Sequence, residues 1–516
     1  MTRAWLAVAV AGACTACSAD HGPRFHAAGS RTPRAGGVLH VATEQHVSTL
    51  DPALAADEVS LYAIHAMFDT LVDYAPGSTA LVPRLAARWD MSADARRFTF
   101  TLRDGVTYAD GAPVVAADVA ASLDRARTLP DSPYGSYLAD VSSIAAPDAR
   151  TLAIELAHPD AAFIYTLTMS FTAPAHRAGD GALAGAGPFT LAAWEPGVRV
   201  VLARNPRYYD AARVHVAGVE LRENVPADVQ FLAFERGELD AVDHLAAPDY
   251  QWLAGEPAWQ PYLRGASTLS AFGWRMNVRV PPFDDVRVRR ALNYADDKAH
   301  ALRILGGTAE IAHGLLPPGV PGRDDALAPY PHDAAAARRL LAEAGHADGL
   351  DVELVTYAGD EPERLAQSLQ ADLAEVGVRA RIVTMSFAAY QTAIGKPDGP
   401  PLSLAAWGGD SPDPTSFLDA KLATSAIGSD ASANDSFYSN PALDDLLDRA
   451  RAERDPARRA ELYRRAERIV FDDAPWIFEY HRRAIEVVQP YLMGYDPHPV
   501  GIHDYASAWL DREAGE

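Results

Sequence analysis

Hydrophobic positions alternate in short runs along the first third of the chain and fall into helical stripes along the last third. Val38, Leu39 and Val41 lie in a strand-like run, Gly36 to Thr43, after which Leu50-Asp51-Pro52 turns the chain. Leu61 to Leu71 reads as a helix. Phe98-Thr99-Phe100-Thr101-Leu102 alternates as a half-buried strand. Asp104-Gly105 and Asp110-Gly111 are turn signals on either side of Val106-Thr107-Tyr108. A helix is expected over Ala116 to Arg127 and a strand over Thr151 to Leu156. Gly181 to Gly187 is glycine-rich and leads into Pro188-Phe189. It lacks the third glycine of G-x-G-x-x-G, so it reads as a crossover between lobes and not as a dinucleotide loop.

The later pattern is more clearly α/β. Asp333 is placed to cap a helix reaching Ala344, with Gly345 as its stop. Asp351 to Tyr357 is a strand. Leu365, Leu369, Leu373 and Val376 share one helical face, Gly377 ends that helix, and Val378 to Met385 is the next strand. Two helices follow, Leu443 to Ala452 and Ala457 to Phe471, and Pro475-Trp476-Ile477-Phe478 returns to a strand. The expected fold class is α/β, with antiparallel-looking pieces early and a wound strand–helix–strand unit late.

Composition narrows the classes. The chain has 516 residues, a soft prior of about three domains or two large lobes. Its 46 basic against 69 acidic residues give a net charge of −23, which repels phosphate backbones, so no nucleic-acid partner is expected. Hydrophobic residues at 48% and a mean hydropathy of −0.11 fit a folded body and exclude a multi-span membrane protein.

The two cysteines, Cys14 and Cys17, both lie near the N-terminus. The body therefore holds no disulfide, no cysteine zinc site and no thiol nucleophile. Arg3 and the uncharged run Ala4 to Ala13 read as a secretory signal, too short to span a bilayer. Ala-Gly-Ala precedes Cys14 and Cys-Thr-Ala precedes Cys17, which resembles the lipobox of bacterial lipoproteins. Cys17 is preferred as the lipidated residue because it leaves the longer apolar run. Residues 1–17 are thus expected to be a lipoprotein signal and residues 18–35 a flexible tether.

No catalytic motif is present. There is no G-x-S-x-G elbow, no Walker loop and no H-E-x-x-H, and the 16 histidines are scattered. The residues alone describe a secreted, membrane-tethered α/β binding protein with no cofactor implied; a hydrolase is the rival.

Several segments together resemble the solute-binding proteins of bacterial peptide-type ABC importers, the dipeptide, oligopeptide and nickel group. They are Gly36-Gly37-Val38-Leu39 through Thr49-Leu50-Asp51-Pro52, Leu81 to Ala86 with Trp89, Phe98 to Val106, and Asp110-Gly111-Ala112-Pro113 with Asp118-Val119. Further along come Gly185 to Phe189, Arg204 to Asp210, Gly237-Glu238-Leu239-Asp240, Pro282 to Leu292, and Trp407 with Asp410 and Pro412-Asp413-Pro414. The resemblance implies a two-lobed periplasmic-binding-protein type II fold with an extra domain and a hinge. Carried over, lobe I takes 36–75, 185–275 and 485–516, the extra domain 76–184, and lobe II 276–484.

It also implies ligand contacts. Asp410, after the late Trp407-Gly408 motif, is where peptide-binding relatives hold a ligand's α-ammonium; a desolvated carboxylate needs such a partner. Trp407 is either an aromatic ligand wall or a packed core residue. Thr43 and His46 leave the first strand where relatives line the cleft. Trp274, Arg275 and Asn277 lie where the chain passes into lobe II; alternation puts Arg275 and Asn277 on one face. Arg275 is expected as a cleft cation for a ligand carboxylate or as a surface residue. The stretch Leu402 to Ala406 carries no charge, whereas some oligopeptide binders have an arginine there.

The implied protein is a monomeric, lipid-anchored, extracytoplasmic binder that captures a peptide by hinge closure and delivers it to an ABC permease without being an enzyme. Haem, a nickel chelate or an oligosaccharide as ligand, or a peptidase or amide hydrolase on the same scaffold, are the alternatives.

Overall fold

The computed structural model describes residues 22–512 apart from residues 178, 180–182 and 244. The signal and both cysteines lie outside the described residues, as does Gly181. Among the described residues no helix is long and apolar enough to cross a membrane.

One body is built on a four-stranded sheet. Val38–Ala42 pairs in parallel with Gly218–Arg222, which pairs antiparallel with Arg199–Arg204, and that strand with Phe189–Glu195. The helix Glu58–Met67 covers it, burying Val59, Ala63, Ile64 and Met67 against Leu39, Val200 and Leu221. The expected helix over 61–71 therefore begins and ends earlier. Asp57 caps it through the Ser60 N–H at 2.7 Å, and the apolar run after Met67 belongs to the strand Val72–Tyr74.

A second body carries the antiparallel sheet Ala86–Met91, Arg97–Leu102, Thr151–Leu156 and Val141–Ala145. The helix Ala116–Thr128 packs on it through Val119, Leu123 and Ala126. The chain returns through Gly185 and Gly187. A Cβ on Gly185 would lie 2.0 Å from the Met67 carbonyl oxygen, and the Gly187 N–H donates to that oxygen at 2.9 Å. These glycines lead from the second body into the first-body strand Phe189–Glu195. The expected crossover between lobes is thus a return from the extra domain, imposed by close backbone packing.

The third body is an eight-stranded sheet. Its path is Ala241–Val242, Trp476–Val488, Ser270–Met276, Leu402–Gly408, Leu350–Tyr357 and Val378–Met385. The last three strands are parallel. Leu365, Leu369 and Leu373 of the helix Asp360–Glu375 pack on one side. Helices Pro441–Ala452 and Pro456–Asp473 pack on the other around Phe417, Leu443, Tyr463 and Trp476. Full burial of each such side chain contributes about 1.5–3 kcal/mol.

Trp476–Val488 ties the bodies together. Its first part pairs with Phe272 to Arg275, its last part with Leu263–Ser267 and Ala241–Val242. Where it meets Ser270–Met276 only glycine fits: a Cβ on Gly273 would lie 1.9 Å from the Ile477 carbonyl oxygen. Because Ser270–Met276 is embedded beside Leu402–Gly408, the chain changes partners between Ser267 and Ser270: it keeps the long strand and gains Leu402–Gly408 as a second neighbour.

The expected tether is corrected over its described part. Residues 22–35 form no helix or strand, yet they are held to the body. The Gly29 and Ser30 N–H groups donate to Asp511 Oδ2 at 2.7 and 3.0 Å, Arg34 pairs with Asp511 at 3.2 Å, and Phe25 packs edge-on against Tyr491. Low periodicity suggested slack chain; a buried carboxylate collecting local donors holds it in place.

Candidate ligand-binding cleft

Two cavities of about 250 Å³ each adjoin at Glu58 and Tyr62. One runs into the first body past Thr43, Gln45 and Asp243. The other lies between Tyr62, the partner-change segment Thr268-Leu269-Ser270, Gly408-Gly409, and Ala484 and Glu486 of the long strand. A larger groove of about 680 Å³ lies elsewhere, beside Leu191 and Trp194, and holds none of the expected site residues.

The first-body wall is acidic and aromatic. Tyr62 donates to Glu58 Oε1 at 2.8 Å and meets the His503 ring edge-on at 4.4 Å. His503 stacks with Tyr505 and Tyr495 at 5.6 and 5.7 Å. Its Nε2 lies 3.5 Å from Glu486 and 4.0 Å from Asp243. Burial, then Asp243 and Glu58, push Tyr62 far above the ordinary phenol range. Burial also raises Tyr495 and Tyr505 well above it, with Glu486 and Asp243 adding to the shift. These phenols stay protonated and serve as hydrogen-bond donors.

Asp410 follows the C-terminal end of Leu402–Gly408. The ends of the three parallel strands converge here, where ligands gather on α/β sheets. Its turn is firmly held. The Gly409 N–H donates to the Leu269 carbonyl at 2.7 Å. Buried Asp413 accepts from Thr415 N at 3.0 Å and takes both guanidinium nitrogens of Arg459. Asp410 itself is exposed. The Tyr137 hydroxyl of the second body faces it; burial and then the Asp410 carboxylate raise that phenol. Among the described residues no cation pairs with Asp410.

The other expected residues divide. Gly408 lines the cavity at the partner change, and Thr43 lines the first-body cavity with its hydroxyl bonded to Gln45 O. His46 is exposed and lines neither. Trp407 is half-buried; its indole N–H donates to Ser416 O at 2.6 Å, and Lys421 Nζ lies 4.7 Å from its ring centre. Trp274 is fully buried in the third-body core. Asn277 is buried and donates to Pro397 O at 3.0 Å.

Arg275 is neither a cleft cation nor a surface residue. It is 1% exposed, its Nη1 donates to Asp435 O at 2.8 Å, and its Nε lies 3.8 Å from that carboxylate. The partner is 160 residues away in sequence, beyond the reach of any local pattern.

Sequence reasoning missed Glu486 and Arg482. Arg482 shares a strand face with Ala484 and Glu486, lies 5.3 and 5.6 Å over Phe272 and Tyr480, and pairs with Glu361. Phe387 was also missed. It is 56% exposed, edge-on to Tyr357 at 5.1 Å, just beyond the end of Val378–Met385. The wound unit was the available signal for Phe387, since such strand ends face ligands.

Comparison with known proteins follows this geometry. Residues 80–429 match the family described as bacterial extracellular solute-binding proteins, family 5 middle. Di/tripeptide-binding protein 2 of Pseudomonas aeruginosa is 28% identical over 92% of this chain and 95% of its own length. Heme-binding protein A of Haemophilus influenzae is 28% identical over 89% and 90%. The solved structure of HbpA2 from Haemophilus parasuis superposes with a TM-score of 0.85 at 24% identity, over 92% of this chain and all of that one. A periplasmic murein tripeptide binding protein in its unliganded open form gives 0.83 at 23% identity, over 93% and 98%. The fold is the type II periplasmic-binding-protein fold, and such relatives imply an extracytoplasmic location. The chain belongs to the bacterial extracellular solute-binding proteins of family 5.

Proposed function

We propose that the protein captures a peptide outside the cytoplasm and passes it unaltered to an ABC permease. The observation that carries this reading is Asp410: a carboxylate on a pinned turn at the cleft, facing Tyr137 of another body, with no cation of the described chain beside it. A peptide's α-ammonium supplies that cation, and the peptide's own N–H and C=O groups pair as an added strand. Relatives named for binding di- and tripeptides or dipeptides support the choice.

The long strand and the segment Ser267 to Ser270 serve as the hinge. Lobe I is formed by the first body, the inserted domain extends it, and lobe II is the third body beyond Ser270. The exposed state of Asp410 and the likeness to an unliganded open form fit open jaws. The same reading makes the protein a monomer, anchored through lipid on Cys17, with binding and not catalysis as its work.

Titration of the purified protein with di- and tripeptides tests this. Asp410→Ala is expected to weaken binding by about 2–5 kcal/mol, because a buried ammonium loses its partner. Undiminished affinity would remove the anchor role. Tight binding of haemin, a nickel chelate or an oligosaccharide in place of peptides, or peptide cleavage seen by mass spectrometry, would replace the reading.

A further inference from the structure

The cavity beside the hinge carries more negative charge than one α-ammonium needs. Asp410 lines neither cavity but follows the lining residues Gly408 and Gly409 on the third-body side. Glu58 and Asp243 come from the first body, and Glu486 from the strand that joins the two. Glu486 lines the cavity and is 4% exposed. One of its oxygens is 3.5 Å from His503 Nε2 and the Tyr495 hydroxyl faces the same carboxylate, yet Oε2 is buried without a well-formed hydrogen bond. A desolvated carboxylate oxygen without a donor is costly, and an arriving cation relieves that cost.

The described lining residues of both cavities include no lysine or arginine. The neighbouring arginines are committed: Arg482 to Glu361, and Arg264 to Asp496 at 3.4 Å. Tyr62 and His503 set two rings at right angles against the same space, a surface that suits methylenes ending in a positive head. The two rings beside the carboxylates favour an organic cation, whose methylenes they can cover.

We propose that this cavity is the pocket for a lysine or arginine side chain of the bound peptide, with Glu486 as its principal counter-charge and Glu58 at the rim. The protein then selects basic peptides. This rests on the peptide reading above and adds a second, separate point of recognition.

The experiment is calorimetric titration with four tripeptides, Ala-Lys-Ala, Ala-Arg-Ala, Ala-Nle-Ala and Ala-Glu-Ala, where norleucine keeps the methylenes of lysine without its charge. The lysine and arginine peptides are expected to bind about 10- to 100-fold more tightly than the norleucine peptide. The glutamate peptide is expected to bind most weakly. Glu486→Gln is expected to bring the lysine-to-norleucine ratio close to one, and Glu58→Gln to lower it partway, each variant being checked for its melting temperature. Equal affinity for the lysine and norleucine peptides in the unmodified protein would overturn the pocket while leaving peptide capture intact. A ratio unchanged in Glu486→Gln would overturn the role of Glu486. Failure of all four peptides to bind would bring down the peptide reading itself, and the pocket with it.

Discussion

Glu486 and Asp435 are both buried carboxylates, one beside the hinge and one inside the third body, and their surroundings differ in kind. Asp435 has two permanent cations: Lys421 Nζ at 2.9 Å, and Arg275, which reaches its carboxylate at 3.8 Å. Glu486 has an imidazole, a cation only when protonated. Each has one oxygen without a donor, so an orphan oxygen alone does not mark a binding site. What separates them is charge balance and position. Asp435 is neutralised inside the third body and lines neither of the two cavities, whereas Glu486 lines one of them. The same contrast separates Arg275, consumed inside, from Asp410, with which no cation of the described residues pairs.

The comparison breaks most sharply at Asp435. Asp435→Ala leaves Arg275 and Lys421 buried without their counter-charge and is expected to cost about 3–5 kcal/mol in urea unfolding. Asp410→Ala is expected to lose its 2–5 kcal/mol in binding while shifting unfolding by less than about 0.5 kcal/mol. A large stability loss there would make Asp410 structural after all.

His481, on the same long strand, sharpens the contrast through pH. Burial pushes its imidazole down to about 4, against a partial opposing pull from its hydrogen bond to Ser270 O at 2.7 Å. In the unfolded chain it takes up a proton near pH 6.5, so its contribution is complete above that value and is lost as pH falls from 6.5 to 4. The loss is about 3 kcal/mol once pH has fallen through that window. His481→Gln is expected to flatten that part of the stability–pH curve relative to the unmodified protein. Comparing the two curves removes the opposite-sign contributions of Glu467 and Asp419, both raised to about 7 by burial.

The smallest effect belongs to a pair that water already serves. Arg125 grips Asp51 with two bonds of 2.7 and 2.6 Å, but the arginine side chain is still 36% exposed. Arg125→Gln is expected to cost under about 1 kcal/mol, less still at high salt.

The α/β class and many element positions were legible because local signals bounded them. Val378–Met385 lies between Gly377 and the capping Ser386, and the observed strand has those limits. Ala334–Glu343 begins at its Asp333 cap. Of the expected contacts, the late motif led to Gly408, which lines a cavity, and to Asp410 just beyond it. Arg275 was misplaced because its meaning lies in Asp435, brought close by folding alone. Glu486 and Arg482 went unseen because the strand that carries them changes neighbours midway, so one stretch of alternation serves two environments.

The docked stretch from Phe25 to Arg34 has a further result. Eighteen slack residues would let their two ends drift about 24 Å apart. From Gly22, seated beside Trp252 and Trp259, the stretch lies against the body instead. Its path is therefore set: the chain meets the body on the side bearing those tryptophans, and Asp511, by gripping the line, decides the course it takes.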